Sequence, residues 1–111
     1  MNLIADAVRP TLGPMPRYVA YRASSRSGPT EFIDNAAAAA RRIDDTGDSP
    51  ADGGAMLLRE AIRQVNERVG DGGATTAVLA QALARQAHRS LAAGANAMRV
   101  REGLRRGIDA A

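Results

Sequence analysis

The sequence predicts a mainly α-helical fold: four principal helices after a short N-terminal one, with a small two-stranded excursion near residues 18–33. Three observations carry that prediction. Apolar residues recur every three or four positions through long stretches, the period of a helix with one buried face. Alanine, the residue most favourable to helix, occurs 24 times, whereas Leu, Ile, Val and Phe together number 20. Glycines and prolines gather between the periodic stretches, where a chain turns.

Leu3, Ile4, Ala7 and Val8 make the first helical set, and Pro10 restricts its continuation. Residues 11–16, Thr-Leu-Gly-Pro-Met-Pro, are then a loop, with Gly13 flexible and the prolines fixing local dihedrals. Residues 18–21 and 30–33 read as two short strands across the Ser/Gly-rich turn at 24–29, a pair that is marginal unless it packs on helices. Asp34 is expected to cap the next helix, whose five alanines, Ala36, Ala37, Ala38, Ala39 and Ala40, lie close to another backbone while burying little area. Residues 44–50 form a polar connector whose acidic residues do not match a calcium-loop signature.

From residue 53 to 69, Leu58, Ile62, Val65 and Val69 form one apolar stripe. Asp52 is a candidate cap, and Arg59, Arg63, Glu60 and Gln64 fall on more exposed faces. The following helix, about 75–93, sets Val78, Leu79, Ala82, Leu83 and Ala87 along a broad buried face and ends at Gly94, a natural C-cap. The last helix, 97 to about 108, uses Met98, Val100, Leu104 and Ile108, with Arg99, Arg101, Arg105 and Arg106 supplying charge.

With 111 residues the chain is one small domain by size, and its scarcity of bulky apolar residues predicts a thin core for a solitary monomer. Self-association, as a homodimer or otherwise, or a protein partner is therefore expected. All 15 basic residues are Arg, which reflects genomic base composition more than function, and the net charge of +3 gives weak attraction to nucleic acid. Without interleaved aromatics, the Arg cluster of the last helix reads as a wet face rather than a nucleic-acid site. The chain has no Cys, hence no disulfide or thiol chemistry, and its one histidine, His88, builds no metal cluster and favours the negative pole of its helix. No apolar run approaches a membrane span, and residues 1–6 do not resemble a signal peptide, so a cytoplasmic location is the default expectation.

The stretch with chemical content is Gly70-Asp71-Gly72-Gly73-Ala74-Thr75-Thr76, a carboxylate among glycines directly before a helix. Glycines permit a tight turn with positive φ, and the helix that follows directs unpaired amides into it, which suits an anion. Asp71 repels phosphate by itself but can hold a divalent cation that bridges to phosphate, or orient a water. The hydroxyls of Thr75 and Thr76 can reach the same ligand or cap the helix. A glycine turn followed by a helix cap is the simpler use of these residues, and spacing alone favours it.

The chain also resembles the N-terminal equatorial segment of the group I chaperonins, the ring-forming ATP-dependent folding machines. The matching residues are Leu3-Ile4-Ala5-Asp6-Ala7-Val8, Thr11-Leu12-Gly13-Pro14, Gly70-Asp71-Gly72 with Thr75, and Val78-Leu79-Ala80-Gln81-Ala82. Ala92-Ala93-Gly94-Ala95-Asn96-Ala97-Met98 and Arg106-Gly107-Ile108-Asp109 continue the match in the same order. The resemblance implies an equatorial-like helical bundle. It also implies phosphate contacts from Thr11, Leu12, Gly13 and Pro14, with Gly70, Asp71 and Gly72 as the other side of an ATP and magnesium site that extends to Gly73, Thr75 and Thr76. Asp71 takes the magnesium-associated role by this resemblance, and Asp34 a hydrolysis-related role through activation of water; helix capping is its other reading.

Several departures qualify that inheritance. Met15-Pro16 stands where the family usually has Lys-Gly, Gly73-Ala74-Thr75 where it has three threonines, and Asn35 where a glycine follows the aspartate. The sequence further lacks the apical and intermediate regions and the returning equatorial half, and it starts inside the family's first equatorial helix. A partial equatorial-like domain with residual ATP or phosphate affinity is therefore expected, and the chamber-closing ATPase cycle is not expected of this polypeptide alone. The alternative is a non-enzymatic helical interaction or self-association module.

Overall fold

The computed structural model describes residues 2–22, 29–43 and 51–111, and of residues 51 and 52 the backbone alone. The connector at 44–50, the centre of the turn at 24–28 and the cap assigned to Asp52 lie outside the described residues. The chain divides into two units, Met1–Gln81 and Ala82–Ala111.

The first unit begins with α1 (Asn2–Val8), which passes into a 3-10 turn, Arg9–Thr11, where Pro10 interrupts the α-helical pattern. Strands β1 (Val19–Tyr21) and β2 (Glu31–Ile33) pair antiparallel with Val19 opposite Ile33, Ala20 opposite Phe32 and Tyr21 opposite Glu31. They pack against α2 (Ala36–Arg42), and an ion pair of 3.0 Å between Arg42 and Glu31 joins the two. Helix α3 (Ala51–Val69) and the start of α4 (Gly73–Ala92) complete the unit.

The core is formed by Ile4, Ala5 and Val8 of α1, four alanines of α2, Ala55, Leu58 and Ile62 of α3, and Ala74 and Ala77 of α4. Small side chains dominate it, so the elements approach closely and each residue buries little area. At the far end of α2, the Arg59 guanidinium donates to the carbonyls of Ala40 and Ile43 and satisfies acceptors that a helix leaves free at its C-terminus. Arg59 is thus half-buried and structural rather than on an exposed face.

Two expectations about burial are corrected. In α4 the buried residues are Gly73, Ala74, Ala77 and Gln81, while Leu79 and Leu83 are exposed. Bulk marked the wrong face because the alanines of α2 and the stripe of α3 leave room only for small residues. In α3, Leu58 and Ile62 are buried as expected, Val65 is half-buried and Val69 is exposed at the helix end.

Gln81, 1% exposed, is the polar member of the buried face of α4. Its Oε1 accepts from Arg9 Nη2 at 2.7 Å, and its Nε2 donates to Asp6 Oδ1 at 2.9 Å and Asn2 Oδ1 at 3.3 Å. With both ends of the amide satisfied, burial of this group is tolerated and ties α1 to α4.

The second unit contains the rest of α4 and helix α5 (Ala97–Ala110). Helix α4 ends as expected at Gly94, whose φ of 88° lets Ala95 N–H reach Ser90 O and Gly94 N–H reach Leu91 O, the paired bonds of a glycine-terminated helix. Asn96 then caps α5 by accepting from the amides of Met98 and Arg99. Contrary to the expected apolar seam, α5 buries no residue: Met98 is 66% and Ile108 68% exposed. Its charges pair along its own surface, with Glu102 accepting from both Arg105 and Arg106 and held below the usual carboxylate range by them.

Candidate functional site

Three segments distant in sequence meet on one side of the first unit. The first is the loop after α1, closed by Leu12 N–H to Arg9 O at 3.1 Å and Arg17 N–H to Pro10 O at 3.0 Å. Gly13 takes a φ of 110° there, a conformation open to glycine and costly for other residues. Thr11 Oγ1 donates to Val8 O at 2.7 Å, so its hydroxyl proton is committed to the backbone.

The second segment joins α3 to α4. Gly70 N–H returns to Asn66 O at 2.8 Å, and Gly72 has a φ of 89°. Between them, Asp71 Oδ1 accepts from Gly72 N–H at 2.6 Å, which fixes the carboxylate at the mouth of α4. Thr76 N–H bonds to Gly72 O at 2.9 Å as the helix begins, so the amides of Gly73, Ala74 and Thr75 have no helical partner. The Thr76 hydroxyl also donates to Gly72 O, and neither threonine caps the helix in the manner expected.

The third segment is the junction of β2 and α2. Asn35, not Asp34, is the N-cap: its Oδ1 accepts from Ala37 N–H at 2.8 Å and Ala38 N–H at 3.1 Å. Both residue types cap well, and the register of the helix start decides between them. Asp34, exposed and released from capping, lines the cleft formed by the three segments.

That cleft has two adjoining lobes. The first, about 290 Å³, is lined by Thr11, Gly13, Pro16, Asp34, Asn35, Ala36, Ala37, Asn66, Asp71, Gly73 and Ala74. The second, about 350 Å³, is lined by Thr11, Leu12, Gly13, Pro14, Asp71, Gly72, Ala74 and Thr75. Every site residue singled out in the sequence lines one lobe or both except Gly70 and Thr76.

Asn66 and Pro16 were not anticipated. Asn66 lies one turn after the buried Ile62, and a polar residue on the inner side of an apolar helix was the trace it left in the sequence. Among the described residues no Lys, Arg or His lines either lobe, and Arg9 and Arg17 line a neighbouring groove with Leu12 and Met15. Two carboxylates, two amides and the open end of α4 therefore set the chemistry. Among the described residues no group of three His, Cys, Asp or Glu could hold a metal by protein ligands alone. Oxygen donors suit magnesium, which commonly takes one or two carboxylates and fills its other positions with water and phosphate.

Comparison with known proteins gives one consistent answer. Residues 4–111 match the TCP-1/cpn60 chaperonin family. A Rhodococcus jostii (strain RHA1) protein described as "Probable chaperonin-like protein PrmG" is 41% identical over 108 residues, 97% of this chain and 19% of that protein. Its namesake from Gordonia sp. (strain TY-5) is 40% identical over 110 residues, 99% of this chain and 27% of the relative. The chain thus spans about a fifth to a quarter of the length of these relatives. A helical segment with its glycine-rich turns in family order, matched across nearly its whole length, belongs to the TCP-1/cpn60 chaperonin family.

Proposed function

We propose that the cleft binds a magnesium polyphosphate of the ATP type and that this chain is a chaperonin-like segment with residual nucleotide affinity rather than a complete folding machine. The observation that supports it is the convergence of the loop at 11–14, the turn at 71–75 and Asp34 on one cleft. The open amides of Gly73, Ala74 and Thr75 favour anionic oxygens, and the positive end of α4 adds to their attraction. Gly13 and Gly72 allow the backbone to approach the ligand without a side chain in the way.

Asp71, with its second oxygen free of protein donors among the described residues, is the candidate to hold magnesium. Bound there, the ion would neutralise phosphate charge and offset the repulsion from both carboxylates. Asp34 across the cleft is the candidate to accept a proton from an attacking water. Isothermal titration of the chain with ATP in excess magnesium tests the proposal. Binding is expected, and Asp71→Ala is expected to abolish it; no heat and no competition at millimolar ATP refutes it.

A second reading, a non-enzymatic self-association or protein-interaction module, is favoured by the exposure of the apolar residues of α5. A mass that rises with concentration in sedimentation equilibrium supports it. A monomer at every concentration, with no binding of an apolar dye, counts against it.

A further inference from the structure

We infer that the cleft recognises the phosphate chain and its cation without reading a nucleobase, so that ATP, GTP, CTP and inorganic tripolyphosphate bind this chain with comparable affinity. This rests on the reading that the cleft binds magnesium polyphosphate.

Selecting one base requires a ring to stack on it or polar groups arranged along its edge. The chain has three aromatic residues, Tyr18, Tyr21 and Phe32, and none lines either lobe. All three belong to the hairpin region, and Tyr18 and Phe32 face solvent.

The polar side chains are equally unsuited to a base edge. The Thr11 hydroxyl donates to Val8 O, and Asn35 Oδ1 is occupied by two helix amides. Asn66 shares its lobe with both carboxylates, where a cation and phosphate oxygens would collect. Among the described residues of the other lobe, Asp71 and the hydroxyls of Thr11 and Thr75 are the polar side-chain groups, and Leu12 and Pro14 offer apolar contacts that suit purine, pyrimidine or ribose alike. Recognition is left to the amides of α4 and to the cation at Asp71, and every ligand in the series presents to them a chain of three phosphates with a free terminal phosphate.

The test is calorimetric titration of the full chain, in excess magnesium, with ATP, GTP, CTP and tripolyphosphate separately. Dissociation constants are expected to agree within about threefold, because no stacked ring separates the ligands. Asn66→Ala is expected to shift all four by the same factor. An advantage of tenfold or more for ATP over both GTP and tripolyphosphate overturns the inference and leaves phosphate binding standing; so does a loss on Asn66→Ala confined to ATP. Failure of all four to bind overturns the underlying reading together with the inference.

Discussion

Gly73 is the most closely packed of the described glycines. A Cβ placed there would lie 3.1 Å from Ile62 Cγ2 and 3.3 Å from Ala36 Cβ. Ile62 is fully buried and the Ala36 methyl is fixed to the backbone of α2, so relief requires an unfavourable Ile62 rotamer or a shift of a helix. Adding a methyl to a filled core costs about 1–3 kcal/mol. The opposing gain in helix propensity from Gly to Ala reaches about 1 kcal/mol in a helix interior and is smaller here, where Gly73 opens α4. Gly73→Ala is therefore expected to destabilise the chain by about 1 kcal/mol, and the larger Gly73→Thr by about 2–3 kcal/mol. Urea unfolding followed by circular dichroism at 222 nm reads both as a lower midpoint with an unchanged slope. An alanine variant as stable as the parent, or more stable, would refute the claim that the small-residue contact sets the spacing of these helices.

Four further substitutions or conditions separate neighbouring roles. Asn35→Ala removes the acceptor for the amides of Ala37 and Ala38 and is expected to cost about 1 kcal/mol in thermal unfolding. Asp34→Asn, which leaves that cap intact, is expected to stay within about 0.5 kcal/mol. Gln81→Leu deletes the bonds to Arg9, Asp6 and Asn2; because Asp6 and Arg9 are about half exposed and can rehydrate, the expected loss is about 1–2 kcal/mol, with faster hydrogen exchange in α1. On the surface of α3, hydrogen bonds from Arg63 and Gln64 lower the Glu60 pKa from its ordinary 4.5 to about 2. A carboxylate depressed on folding stabilises the native state above its unfolded pKa, so this small contribution is lost as pH falls from about 4.5 towards about 2. Acid titration of the midpoint in parent and Glu60→Gln checks this: the parent is expected to lose more stability over that interval, and the difference to shrink in 1 M salt.

The helices were legible because their period and their glycine ends are local properties. Gly94 announced the end of α4 by its place after a periodic run, and its positive φ follows from needing no partner elsewhere in the chain. Burial was less legible because it depends on what lies opposite. Leu79 and Leu83 are bulky residues of α4, yet it is the small Ala74 and Ala77 that join the core with the alanines of α2. The cap of α2 turned on a one-residue choice of register that Asp34-Asn35 leaves open. Within the cleft, the two turns could be named from their glycines and from family resemblance. Asn66 could not, since its presence there depends on how the end of α3 faces the other two segments.

The core composition and the cleft are linked by geometry. Asp34 lies two residues before α2 and Asp71 two before α4, and no hydrogen bond joins the two carboxylates. What brings them to the same lobe is the close approach of the residues behind them, Ala36 and Ala37 against Gly73. Bulk at that contact that is relieved by a helix shift, rather than by the Ile62 rotamer, separates the helix starts and carries the carboxylates apart with them. Gly73→Thr is consequently expected to lower stability and magnesium polyphosphate affinity together, even though it adds the hydroxyl that the family resemblance places there. Asp71→Asn separates the two effects: its amide oxygen can still accept from Gly72 N–H, so stability is expected to hold while affinity falls. Paired unfolding and titration measurements on both variants decide the matter. Undiminished affinity in a destabilised Gly73→Thr chain would mean that the cleft does not depend on the contact behind it.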